Sequence, residues 1–175
     1  MNLDHFSPTD DEAVIALPVV KMQTLGGLQW AGIFIIQRDR PDACWKIPGG
    51  FVEAGENLFK ALDRETQEEV GLSLNYRETP NPWDSVGDET IVPAYLSSRW
   101  AKSRGKDEKH LQHLFALIAS DPMELLHLDG KQRKEDDEEI IETQLFRLDE
   151  MLGRKDFLPP QRPLLQQIIT HLNRY

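Results

Sequence analysis

The chain has 175 residues, 39% of them apolar and 29% charged, a size and balance that suit one globular domain spanning 1–175 with a real core. A net charge of −10 argues against wrapping long nucleic acid, which needs a basic footprint, but not against a small phosphorylated ligand. Cys44 is the only cysteine, which excludes an intramolecular disulfide and a Cys-based zinc site. No apolar run approaches membrane-spanning length, and MNLDHFSPTDDEAV is acidic where a secretory signal starts basic and turns apolar. A cytoplasmic protein without a membrane partner is expected.

In chain order, Ala13–Met22 (AVIALPVVKM) reads as a strand, with Pro18 marking an edge or a bulge. Gly26-Gly27 turns it into a second strand, Leu28–Arg38. Pro41-Asp42 is a turn, and Trp45-Lys46-Ile47-Pro48-Gly49-Gly50 leads into the next segment through a short strand and a turn. Leu58, Ala61 and Leu62 at i, i+3 and i+4 predict a helix from about Asn57 to Val70. Leu72–Glu78 alternates as a half-buried strand, and Thr90–Ser97 and Leu111–Ala119 are further strands. Between them Ser98–Lys109 is the one locally basic stretch and reads first as a solvated loop, with gathering phosphates or binding a partner as the alternatives. Glu142–Arg147 is a last strand before a helical turn at Leu148–Leu152. Pro163–Asn173 closes the chain as a helix with Pro in its first turn.

The helix near residue 60 carries the chemistry. The segment GFVEAGENLFKALDRETQEEVGL has Gly50, Glu56, Arg64, Glu65, Glu68, Glu69 and Gly71 at set intervals. A chance match to seven such positions has a probability on the order of 10⁻⁵ to 10⁻⁶ with ordinary residue usage. On a helix Glu65, Glu68 and Glu69 share one face and repel one another. A hard divalent cation with an oxygen shell, Mg²⁺ or Mn²⁺, removes that repulsion. Glu56, near the helix start, either caps the helix or joins the cluster. Acidic runs on helices usually face solvent. Here a glycine turn before the helix and Gly71 after it, placed for a left-handed cap, give the run a shaped surrounding.

This spacing resembles the Nudix box. The approach LQWAGIFIIQRDRPDACWKIPGGFVEAGE and the segment Asp137–Glu142, Leu145-Phe146 and Leu148–Glu150 extend the resemblance over about 13–152. It departs at Thr66, where the family usually has an apolar packing residue. The resemblance implies the α/β Nudix fold, a mixed β-sheet sandwiched between α-helices. It also implies a Mg²⁺-dependent hydrolase, with Mn²⁺ able to substitute, that cleaves the diphosphate linkage of a nucleoside diphosphate joined to another group. Carried over, Glu65, Glu68 and Glu69 are the metal-binding carboxylates and Arg64 orients them. The general base is Glu65 or an acid of the 136–142 loop, Glu139 first, although that loop also reads as a plain charged turn. Gly49 and Gly50 let the backbone approach phosphate or metal, or serve only the turn.

For the substrate, the positions where ADP-ribose or diadenosine polyphosphate hydrolases carry Pro or Tyr after the box hold Gly87 and Asp88 here. The segments Thr79–Asp84 and Ala94-Tyr95-Leu96 resemble those of members that act on ADP-ribose-like dinucleotides, with Trp83 where those members often carry arginine, and this resemblance puts ADP-ribose or a nucleotide-sugar-like substrate first. A nucleoside triphosphate or dinucleoside polyphosphate comes next, and a non-catalytic nucleotide-binding module after that. Trp83, with Trp45, Tyr95 and Phe51 behind it, is a candidate for stacking on a base, against the ordinary use of aromatics in a core. His110 and His113, three apart on a strand, point to opposite faces and make a poor metal pair. The expected partner is a small nucleotide, with a homodimer possible as in other members of the family.

Overall fold

A strand apolar on both faces has to be covered on both faces, and the Ala13–Val20 run is such a strand. In the computed structural model, which describes residues 11–74, 91–102, 109–134 and 140–174, this run forms most of β1 (Glu12–Thr24) at the centre of a mixed sheet. The other strands are β2 (Gly27–Ile36), β3 (Gly49–Phe51), β4 (Ile91–Lys102), β5 (Lys109–Ala119), β6 (Gln132–Lys134) and β7 (Ile140–Arg147). They lie in the order β4-β5-β1-β2-β7-β6, with β3 added on β1. Only β1 and β5 are parallel; the other pairs are antiparallel.

Helices cover the two faces. Val14, Ala16 and Val20 of β1 join Ile33, Ile35, Phe115 and Leu117 under α1 (Leu58–Val70) and α2 (Met123–Leu126). Ile15, Leu17 and Val19 point the other way, with Phe34, Trp45 and Phe146, under α3 (Leu148–Leu152) and α4 (Arg162–Leu172). This alternation is the period-2 geometry of a strand. It produces the layered helix–sheet–helix arrangement that the family resemblance implied.

Pro18 belongs to this central strand rather than to an edge of the sheet. On one side it lies opposite Leu117 of β5. On the other, β1 pairs with β3 over Ala13–Ile15 and with β2 from Val19 onward. Ala16 N–H donates to Pro48 O on that second side. By alternation the residue-18 nitrogen faces the fork between β3 and β2, where no ladder bond is needed.

Two further expectations are corrected. Residues 71–74 form no strand. Gly71 caps α1 and Asp63 Oδ1 accepts Leu74 N–H at 2.9 Å, so the segment is tied back to the helix while Leu72 and Leu74 enter the core. The proposed strand's remaining residues, 75–78, lie outside the described residues. The basic Ser98–Lys109 stretch is not one loop: Ser98–Lys102 continue β4 in register with Lys109–His113 of β5. An edge strand such as β4 accommodates charged side chains while one row of its backbone groups is paired. Helix α2 and strand β6 had no counterpart in the sequence reading.

Candidate active site

The segment 46–52 is wedged where β1 and β2 part. Lys46 exchanges backbone hydrogen bonds with Ile35, Pro48 O accepts from Ala16, and Val52 N–H donates to Glu12 O. Gly49 and Gly50 therefore sit in a strand rather than in a turn. A Cβ on Gly49 would stand 2.4 Å from Val14 O, so glycine there admits the backbone of β1. A Cβ on Gly50 would stand 2.3 Å from the Glu65 carboxyl carbon, so glycine there leaves a seat for a carboxylate.

Helix α1 begins where the chain can satisfy its first amides. Asn57 Oδ1 accepts Lys60 N–H at 2.9 Å, making Asn57 the N-cap. Glu56 neither caps the helix nor joins Glu65, Glu68 and Glu69 directly. It accepts Glu53 N–H at 2.8 Å and takes a bidentate grip from Arg64, 2.9 Å from both Nε and Nη2. The helix ends at Gly71, whose φ of 80° is the left-handed cap, with Arg133 of β6 packed against it and donating to Glu68 O at 3.3 Å. Thr66 is buried, and its hydroxyl donates to Leu62 O at 2.6 Å. It fills the family's apolar packing position with its polar atom satisfied inside the helix.

Arg64 is the hub. Besides Glu56, its Nη1 donates to Glu65 Oε1 at 2.7 Å and to Glu68 Oε2 at 3.3 Å, and its Nη2 donates to Phe51 O at 2.9 Å. One planar guanidinium thus ties the box's start, β3 and two of the three carboxylates together, a geometry that a lysine cannot reproduce. The Arg64 pKa is pushed up, first by its hydrogen bond to Glu56, and the same bond holds the Glu56 carboxyl below its ordinary value. Glu65 moves the other way. Burial raises its pKa against the pull of Arg64.

Glu69 is also buried, and its Oε1 accepts Gly49 N–H at 3.2 Å. It stands one helical turn on from Glu65, on the same face of α1. Glu68 is half exposed on the same helix face. Among the described residues, no three His, Cys, Asp or Glu side chains already converge as a finished metal cage. The donor set nevertheless fits a hard cation. Two neighbouring carboxyls, one raised by burial, and a third carboxylate i+3 from the first offer only oxygen ligands. The seat over Gly50 fixes one of them.

The remaining sequence candidates are placed differently. Trp45 is 2% exposed and packs edge-on against Phe146, so it is core and cannot stack on a ligand. Phe51 is exposed beside His110. Trp83 and Glu139 lie outside the described residues. Of the 136–142 stretch, Ile140–Glu142 belong to β7, and Glu142 is engaged by Arg38 and Gln132. His113 and Tyr95, on the α1 face of β5 and β4, make a contact that sequence reasoning missed. Tyr95 Oη and His113 Nδ1 are 2.8 Å apart, and Glu12 Oε2 lies 3.8 Å from His113 Nε2. Nothing in local spacing links residues 12, 95 and 113; only the β1–β5–β4 register does.

Comparison with known proteins places the fold in a family. The NUDIX domain family model matches residues 13–168. An RNA pyrophosphohydrolase of Brucella anthropi is 29% identical over 120 residues, covering 63% of this chain and 67% of that protein. Among solved structures, a mutT/nudix family protein from Listeria innocua has a TM-score of 0.63 at 18% identity, covering 97% of both chains. The NUDIX domain of Shewanella oneidensis NrtR, solved with ADP ribose, has a TM-score of 0.63 at 14% identity, covering 98% of this chain and 94% of that one. A Caenorhabditis elegans Ap4A hydrolase has a TM-score of 0.60 at 15% identity, covering 94% and 98%. Among the described residues no helix is long and apolar enough to cross a membrane. The chain belongs to the Nudix family.

Proposed function

We propose that this chain hydrolyses the diphosphate linkage of a nucleoside diphosphate derivative, with Glu65, Glu68 and Glu69 holding Mg²⁺, or Mn²⁺ in its place. The observation that carries this reading is the Arg64 hub with the Glu65 carboxylate seated on Gly50. When bound, the cation polarises phosphorus–oxygen bonds and lowers the pKa of water. Arg64 fixes the Glu65 and Glu68 side chains before substrate arrives, so their ordering is complete in the free protein. Gly49 gives its N–H to Glu69 and holds that carboxylate against β3. Glu139 is the first candidate for the base that takes the proton from water, with Glu65 the alternative. Trp83 is the first candidate for stacking on the base.

ADP-ribose or a nucleotide sugar is the first substrate class, on the sequence around Thr79–Asp84 and Ala94–Leu96. A second reading, the 5′-polyphosphate end of RNA, is favoured by the relatives at 29% identity. The test is a Mg²⁺-dependent hydrolysis screen over both classes, together with nucleoside triphosphates and dinucleoside polyphosphates, with products identified by mass spectrometry. Glu69→Gln runs alongside; it keeps an oxygen for Gly49 N–H and loses the charge. Turnover should fall by at least about 10²-fold with the melting temperature nearly unchanged, the scale of losing one preorganised charged group. Near-normal activity of the variant sinks the metal assignment.

A further inference from the structure

Tyr95 and Phe115 pack into the core under α1. Alternation along β5 from Phe115 brings His113, Leu111 and Lys109 to the same face. The β4 register adds Ser98, Trp100 and Lys102, because directly paired residues share a face. Trp100 is 54% exposed. Lys102 and Lys109 are both exposed and lie directly opposite each other. Like charges in directly opposed positions destabilise an antiparallel pair, and a bound anion removes that cost. Lysine on an edge strand also guards against unwanted pairing. That role asks neither for two lysines face to face nor for a half-exposed indole beside them.

This patch stands at the same end of the sheet as the carboxylates. Val52 donates to Glu12 O, Glu12 pairs with Leu111, and Leu111 pairs with Trp100. Three strand spacings of about 4.8 Å each put Trp100 about 14 Å from the β3 end of the box. That distance is about four nucleotides at the roughly 3.4 Å rise of a stacked strand. The chain as a whole is acidic, yet Ser98–Lys109 has five basic residues against two acidic ones. An exposed aromatic with flanking cations is the recognition chemistry of single-stranded nucleic acid: bases stack on the ring, and phosphates meet the lysines.

We propose that the β4–β5 hairpin is a docking surface for the single-stranded RNA that follows a 5′-phosphorylated end, with Trp100 stacking on a base and the Lys102–Lys109 pair holding a phosphate. This rests on the second, RNA reading of the active site. It assigns that substrate a contact remote from the scissile bond.

The test measures binding of a fluorescently labelled 5′-monophosphorylated oligoribonucleotide by anisotropy, which needs no turnover. Trp100→Ala should raise Kd about 5- to 100-fold, the range for removing one base–aromatic stack. Lys102→Glu with Lys109→Glu should weaken binding further and flatten the slope of log K against log salt by about 0.7, the value for one phosphate contact. Hydrolysis of the best small substrate should stay at the wild-type rate in both variants. Wild-type protein that does not bind the oligonucleotide overturns the proposal, as do variants that bind it as the wild type does. If RNA binds through this patch while a 5′-triphosphorylated RNA is not cleaved, the RNA reading of the active site falls and the docking surface stands.

Discussion

Replacing Gly50 by Ala separates the site from the fold. The new Cβ would lie 2.3 Å from the Glu65 carboxyl carbon and Oε1, and 2.5 Å from Oε2, whereas ordinary contact begins near 3.4 Å. The carboxylate therefore has to move by roughly 1 Å, and it is the far end of a flexible side chain, so the backbone need not follow. Movement takes Oε1 away from Arg64 Nη1, now 2.7 Å distant. A displacement of about 1 Å in a positioned group costs on the order of 10²-fold in rate, or about 2.7 kcal/mol of transition-state stabilisation. Stability should change by less than about 1 kcal/mol, since alanine in a strand regains what glycine loses in backbone entropy. Gly49→Ala is the control. Its Cβ would meet Val14 O at 2.4 Å and Ile15 Cα at 3.0 Å, both backbone, and should destabilise by about 1–3 kcal/mol as an overpacked contact does. Steady-state kcat/KM on the best substrate and thermal melting of both variants decide the matter. A Gly50→Ala protein with wild-type kcat/KM, or one that melts as early as Gly49→Ala, refutes the seat.

Gly71→Ala places a side chain at φ 80° and 2.1 Å from Arg133 Nη1; urea denaturation should show a loss of at least about 1 kcal/mol from the backbone alone, and an unchanged midpoint would refute the cap. Burial drops the pKa of His113 from 6.5 to about 4. Because the unfolded chain takes up a proton through that window and the folded chain does not, stability is constant above pH 6.5 and falls as pH drops toward 4. The loss is at most about 3.4 kcal/mol, at 1.36 kcal/mol per unit. Denaturation at pH 7 and pH 4.5 should show His113→Gln losing less over this interval than the wild type, and equal losses would contradict a buried neutral imidazole.

Much of the site was legible because its parts are close in sequence. The Asn57–Val70 helix, the Gly71 cap and the shared face of Glu65, Glu68 and Glu69 follow from periods of three and four residues. The partners of Arg64 were only partly legible. Glu68 one turn on was foreseeable, but the stronger grip on Glu56 and the bond to Phe51 O depend on how segment 46–52 folds back under the helix. Gly49 and Gly50 read as turn residues because glycine pairs usually are. Here their lack of a Cβ answers to Val14 and Glu65, which only tertiary structure brings near. Leu72–Leu74 are not the start of a strand, and their alternation does not reveal that Asp63 has already claimed the Leu74 amide. The basic stretch at the end of β4 looked like a loop because charge hid a strand whose partner, Lys109–His113 of β5, comes only from the register of the sheet. The family resemblance supplied the reaction class; local physics supplied the helix on which it acts.

The parallel contact between β1 and β5 has a consequence for how the chain matures. Glu12 pairs with Leu111 and Val20 with Ala119, so the middle of the sheet joins segments separated by about a hundred residues. During synthesis β1 and β2 can close as a local hairpin, and β3 and α1 can follow. One long side of β1 then waits until β5 has emerged, at about 5–20 residues per second several seconds or more later. Pairings of such separation form slowly because loop closure precedes any reward. Helix α1 is thus made early and rests on a half-built sheet, and Phe115 and Leu117 are the late-arriving part of its floor. Destabilising β5 should therefore harm yield and refolding rate more than it harms the activity of the molecules that do fold.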